Sequence, residues 1–98
     1  PYGHQKLLEV AMSLGAGPKL LILDEPTQGL AEAEIENLTQ LIREISKTVN
    51  VLLIEHNMEV VFNLAERVTV MDNGSILAEG TPTEIENNHA VQASYLGN

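Results

Sequence analysis

Asp24, Glu25 and His56 are the side chains whose types and spacing point most directly to chemistry. The two acids follow the apolar run Leu20-Leu21-Ile22-Leu23 and are themselves followed by Pro26 and Thr27. Adjacent carboxylates can share the work of hydrolysis. One holds a hard cation through oxygen, and the other orients or deprotonates a water. His56 closes a second apolar run, Val51-Leu52-Leu53-Ile54-Glu55. A neutral imidazole there can donate a hydrogen bond to a phosphate oxygen while accepting another from the chain. Taken singly, an acidic pair at a strand end is more often a solvated turn, and a lone histidine an edge residue. The continuation Pro26-Thr27-Gln28-Gly29-Leu30 and the placement of His56 at the same sheet edge favour function.

That shared edge follows from the elements. Continuous apolar runs such as Leu20–Leu23 and Val51–Ile54 read as parallel strands covered by helices on both faces. Between them, residues 31–48 place Ile35, Leu38, Leu41, Ile42, Ile45 and Val49 at helical spacing on one face. Strand, long helix and strand make a right-handed βαβ unit with parallel strands. Ligands of open α/β sheets sit beyond the carboxyl ends of such strands, where Asp24, Glu25 and His56 emerge. Glu32, Glu34 and Glu36 lie where that helix begins, and favourable interaction with its macrodipole accounts for them without a functional role.

The flanking segments are equally legible. Residues 5–16 carry a broad apolar stripe of Leu7, Leu8, Val10, Ala11 and Leu14, stopped by Gly15-Ala16-Gly17-Pro18. Gly15-x-Gly17 closes a helix and leads into a strand, the reverse of a phosphate loop's order. Tyr2-Gly3-His4-Gln5 precedes this helix, and helix N-termini near glycine bind phosphate through free N–H groups. Asn57 caps a short helix over 58–65. Asp72-Asn73-Gly74 between short apolar runs, 67–71 and 75–78, signals a hairpin. Thr81-Pro82-Thr83-Glu84 is a capping box with proline at the first helical position, opening a helical tail that runs through Glu86 and resumes over 90–96.

Composition limits the function classes. With 98 residues the chain makes at most one small domain, 44% of it apolar. Zero cysteines exclude disulfides and thiolate metal sites. A net charge of −9, with five Lys and Arg, argues against nucleic acid or anionic lipid as a direct partner. No apolar run approaches the roughly 20 residues of a membrane span. The expected fold is α/β, and the lack of a strand before the first helix reads as part of a larger domain. His4 and His89 have no partner at metal-ligand spacing and read as surface residues, while Phe62 and Tyr95 read as packing residues.

In order and spacing these segments resemble the C-terminal part of an ABC transporter ATP-binding subunit, and hence of a P-loop NTPase fold. Residues 1–5 are similar to the tail of the signature motif, 5–16 to the signature helix, 20–25 to the Walker B strand and 28–31 to the D-loop. His56 falls at the switch histidine, and 67–96 at the C-terminal hairpin and helices. Gly3-His4-Gln5-Lys6-Leu7-Leu8-Glu9-Val10, Leu53-Ile54-Glu55-His56-Asn57-Met58-Glu59-Val60-Val61, Ala78-Glu79-Gly80-Thr81-Pro82 and Tyr95-Leu96-Gly97 most resemble the branched-chain amino-acid importers. Urea importers and the lipopolysaccharide-export ATPase are similar in the same regions.

The resemblance implies ATP and Mg²⁺ as cofactors. Asp24 would help to position the metal, Glu25 would polarise the attacking water, and His56 would contact the γ-phosphate. Gly3, His4 and Gln5, with Gly29 and Leu30 of the D-loop, would face nucleotide shared with a second ATPase subunit. Transmembrane permease subunits would hold the pair at the cytoplasmic face of the membrane, without direct insertion. Several departures bear on activity. Pro1 stands where serine is usual, Ala31 where a polar residue is common, and no Gly-x-x-x-x-Gly-Lys-Ser/Thr loop occurs in the 98 residues. The expectation is therefore an ATPase fragment inactive by itself. A non-catalytic module that binds a partner through exposed apolar surface is the reading from another class.

Overall fold

The structure is a computed structural model that describes residues 2–95. The chain divides into two compact units, residues 2–60 and 61–95 of the described chain. In the first unit, helix α1 (Tyr2–Ser13) passes into a 3-10 turn (Leu14–Ala16), strand β1 (Leu20–Asp24), helix α2 (Glu32–Ile45) and strand β2 (Asn50–Ile54). Helix α3 (Met58–Leu64) crosses the division. The second unit holds β3 (Val68–Asp72), β4 (Ser75–Gly80), α4 (Pro82–Glu86) and α5 (His89–Tyr95).

The βαβ reading holds. Strands β1 and β2 pair in parallel, with Leu20 opposite Asn50 and Asp24 opposite Ile54. Helix α2 buries Leu38, Ile42 and Ile45, the positions picked out by helical spacing. It ends at Ile45, three residues short of the expected end, and the chain then turns through Ser46 to Thr48. The α1 terminator works as expected: Gly17 is left-handed at φ 64° and donates its N–H to the Leu14 carbonyl.

Two expectations need correction. Helix α1 starts at Tyr2, so Tyr2-Gly3-His4-Gln5 forms its first turn instead of leading into it. The β-strands are not covered on both faces among the described residues. Leu21 and Leu23 are buried, whereas Leu20, Ile22, Leu52 and Ile54 on the alternate face are 47–57% exposed. Strand side chains alternate, so an apolar run delivers every second residue to each face whether or not a helix lies there. Here no described element packs on the second face of the pair.

In the second unit, β3 and β4 form the expected antiparallel hairpin with a bulge between Val70 and Met71. Asn73 (φ 50°) and Gly74 (φ 80°) make its turn, the conformation that favours Asn-Gly. Val68, Val70, Ile85 and Val91 are buried. Tyr95, expected to be a packing residue, is 42% exposed, and its hydroxyl donates to the Met71 carbonyl. Leu96, placed in the helical tail by the sequence pattern, lies outside the described residues.

Candidate functional site

The carboxyl ends of β1 and β2 are joined side by side. Glu25 donates its backbone N–H to the Ile54 carbonyl at 2.7 Å, extending the ladder one residue past β1. The chain then leaves the sheet abruptly. Glu25 has φ 47°, a left-handed conformation that costs a non-glycine residue on the order of 1–3 kcal/mol and gathers at functional sites. Its carbonyl accepts from Gln28 N–H, and the Thr27 carbonyl accepts from Leu30 N–H, so the exit is a tight pair of turns. Pro26 and Thr27 are buried beneath them. Gly29 takes φ 80°, which glycine adopts without a Cβ clash, and the Tyr2 ring lies against it.

The strained turn brings Glu25 into contact with His56: one carboxylate oxygen meets the ring Nδ1. Where the carboxylate accepts, Nδ1 is the donor of the pair. A neutral ring with its proton on Nδ1 offers a lone pair at Nε2, and cannot also donate there to a phosphate oxygen. In that pairing a neutral His56 donates outward once Glu25 releases Nδ1. Asp24 is exposed at the end of β1, and its carboxylate has no hydrogen bond or ion pair among the described residues.

At the start of α1, Gly3 is buried and its N–H donates to Glu34 Oε2 at 3.0 Å. The other oxygen of the same carboxylate accepts from the Ala31 N–H at 2.8 Å. A Cβ on Gly3 would fall 2.1–2.8 Å from Glu34 side-chain atoms, so only glycine admits the carboxylate this closely. Glu34 is thus more than a favourable charge at a helix start: it ties α1 to the loop before α2. His4 and Gln5 are exposed on the first turn of α1, and Leu30 is half-buried.

Two residues escaped the sequence reading. Glu55, beside His56, accepts from both the Thr27 N–H (3.1 Å) and the Thr27 hydroxyl (2.6 Å) on a single oxygen, Oε2. A buried threonine after an acidic pair needs partners for two polar groups, and a carboxylate at the end of the neighbouring strand was the available signal. For Glu34 the signal was its position three residues past the cap. Among the described residues, no group of three or more His, Cys, Asp or Glu could enclose a metal ion. A nucleotide-bound Mg²⁺ does not require one, because it keeps several waters and takes one or two carboxylates plus phosphate oxygens. The free carboxylate of Asp24 fits that demand.

Known proteins match this chain in sequence and in fold. The family model described as "Branched-chain amino acid ATP-binding cassette transporter" matches residues 75–98. The high-affinity branched-chain amino acid transport ATP-binding protein LivG of Salmonella typhimurium is 44% identical over 98 residues, 98% of this chain and 38% of its own length. The lipopolysaccharide export system ATP-binding protein LptB of Haemophilus influenzae is 31% identical over 96 residues, covering 97% of this chain and 40% of its own. A solved structure, the ADP conformation of MJ1267, an ATP-binding cassette of an ABC transporter, superposes with a TM-score of 0.84 at 34% identity, over 98% of this chain and 40% of that one. Over nearly its whole length this chain is homologous to the C-terminal part of the ATP-binding subunits of ABC transporters. It spans about two fifths of their length. Within the class it is like the branched-chain amino-acid transport ATP-binding proteins, at 41–44% identity to LivG and BraF sequences.

Proposed function

We propose that this chain supplies the metal-and-water side of an ATP-hydrolysis site in an ABC importer for branched-chain amino acids. The contact of Glu25 with His56 across the ends of two parallel strands, with Asp24 free beside them, carries this reading. Asp24 would hold Mg²⁺, directly or through water, and Mg²⁺ would neutralise charge developing on the phosphate oxygens. Glu25 would orient and polarise the attacking water. His56 is held by Glu25 in the resting chain; it would turn its ring proton to the γ-phosphate once Glu25 takes up the water.

The exposed Gln5 and His4 would face nucleotide held by a second ATPase subunit, with Gly29 and Leu30 lining the junction. The Gly3 N–H is already committed to Glu34, so Gly3 would act there by admitting that carboxylate. Closure of the subunit pair would drive permease subunits between alternating states. Among the described residues, no helix is long and apolar enough to cross a membrane. A peripheral place at the cytoplasmic face would be reached through the permease. Urea import or lipopolysaccharide export is the same chemistry applied to another cargo.

Phosphoryl transfer rests on positioning and charge stabilisation, and the 98 residues hold no phosphate-gripping loop. The chain alone should therefore show no hydrolysis above background in a steady-state phosphate-release assay. In the intact subunit, Glu25→Gln should lower turnover about 100-fold or more while Mg-ATP still binds. Turnover at the wild-type rate in that variant contradicts the proposed role. The open face of Leu20, Ile22, Leu52 and Ile54 favours a second reading, a module that docks a partner chain without catalysis. A soluble, protected monomer in hydrogen exchange, with no ATPase activity in the intact protein, would favour it.

A further inference from the structure

We infer that Glu55 is a positioning residue, which clamps the strained exit of β1 so that Glu25 and His56 stay in register. This rests on the functional reading above and adds a third acid to it, in a role distinct from the other two. Three residue pairs are bonded between residues 25–27 and 54–56. The Glu25 N–H meets the Ile54 carbonyl, the Glu25 carboxylate meets His56, and Thr27 meets Glu55. The first is ordinary strand pairing, and the second joins the reacting groups. Only the third lies beyond the left-handed Glu25, and it alone holds the far side of the turn to β2.

The geometry is well suited to that work. Thr27 is 5% exposed, and both its N–H and its hydroxyl end on Oε2 of Glu55. Hydrogen bonds to an ionised acceptor are shorter and stronger than neutral ones. Losing the acceptor would strand two donors in a buried place, and the turn would open to hydrate them. Glu25 sits two residues before Thr27, so an opened turn moves the carboxylate that must meet the water. Because Glu55 spends one oxygen on two donors, an uncharged amide oxygen in the same place can accept both. Glu55 therefore differs from Glu25 in what a glutamine does to it.

The test is steady-state ATP hydrolysis by the intact ATP-binding subunit with its partner subunit, comparing Glu25→Gln, Glu55→Gln, Glu55→Ala and Thr27→Val. Glu55→Ala should lower kcat roughly 10- to 100-fold with KM for ATP within about threefold, as expected for a misplaced reacting group. Glu55→Gln should restore kcat to within about threefold of wild type. Thr27→Val keeps the shape and the N–H bond, and should fall in the same direction by less. Glu55→Gln as inactive as Glu25→Gln would overturn the inference, since Glu55 would then act through its charge. Full activity of Glu55→Ala would overturn it equally. If Glu25→Gln itself hydrolyses normally, the functional reading fails, and hydrogen exchange at the Thr27 amide still decides the clamp. That amide should be protected in wild type and Glu55→Gln and unprotected in Glu55→Ala; equal protection in all three would sink it. The same measurement decides the matter if Glu55→Ala is too unstable to assay.

Discussion

Helices α2 and α4 start in the same way, and the difference between them separates scaffold from site. Ala31 at φ −71°, ψ 161° and Thr81 at φ −71°, ψ 160° enter their helices with the same backbone. In each, the glutamate three residues later reaches back to the cap N–H at 2.8 Å. At α4 the box closes locally, because the Thr81 hydroxyl accepts from the Glu84 N–H at 3.2 Å. At α2 it cannot close, because alanine has no oxygen to offer. There, separately from the cap bond to Ala31, the glutamate's second oxygen accepts from Gly3, 31 residues away. A cap complete in itself stabilises one helix. At α2 the same carboxylate also fixes, through its second oxygen, the turn that the proposed site needs at the start of α1.

The contrast between the two caps breaks first at Glu34. Glu34→Ala should unfasten both the Gly3 and the Ala31 amides, at a cost of about 2 kcal/mol in their opening free energy by hydrogen exchange. Gly3→Ala should cost a similar amount, because its Cβ takes the space of the carboxylate, and combining the two should add little. Independent, additive losses would show that Glu34 does not join the two segments. Thr81→Ala should cost about 1 kcal/mol, with exchange changes confined to residues around α4. Ala31→Ser, which supplies the missing hydroxyl, should stabilise the start of α2 by about 0.5 kcal/mol. No gain there would mean that the α2 cap is already as complete as that of α4.

Acid gives the smallest effect. The Thr81 backbone N–H, then its hydroxyl, holds the Glu84 carboxyl below the ordinary glutamate range, with a lesser contribution from Arg67. A carboxylate depressed on folding contributes stability that is present above its unfolded pKa and lost as pH falls through the lower folded value. The Thr81 amide shift should therefore titrate below the ordinary glutamate range. Titration within that range would show that the box does not hold in solution.

How much of this was legible depends on the range of the interaction. The α4 box, the Asn73-Gly74 turn and the Asn57 cap are contacts within a few residues, and the local sequence spells them out. The βαβ order followed from apolar periodicity, and placed Asp24, Glu25 and His56 at one edge. The left-handed Glu25, the Glu55 clamp and the Glu34 bridge were not legible, since each depends on chain 28–31 residues distant or on strain that no residue type announces. Burial also misled: an apolar run predicts two covered faces, and β1 has one.

The central claim is that Asp24 serves the metal and Glu25 serves the water. A crystal structure of the intact subunit pair with Mg²⁺ and a non-hydrolysable ATP analogue tests it directly. Asp24 should then lie in the coordination or hydration shell of Mg²⁺. Glu25 should be hydrogen-bonded to a water in line with the γ-phosphate, with Thr27 still held by Glu55. Mg²⁺ bound by Glu25, or a Glu25 carboxylate turned away from any such water, would contradict the claim.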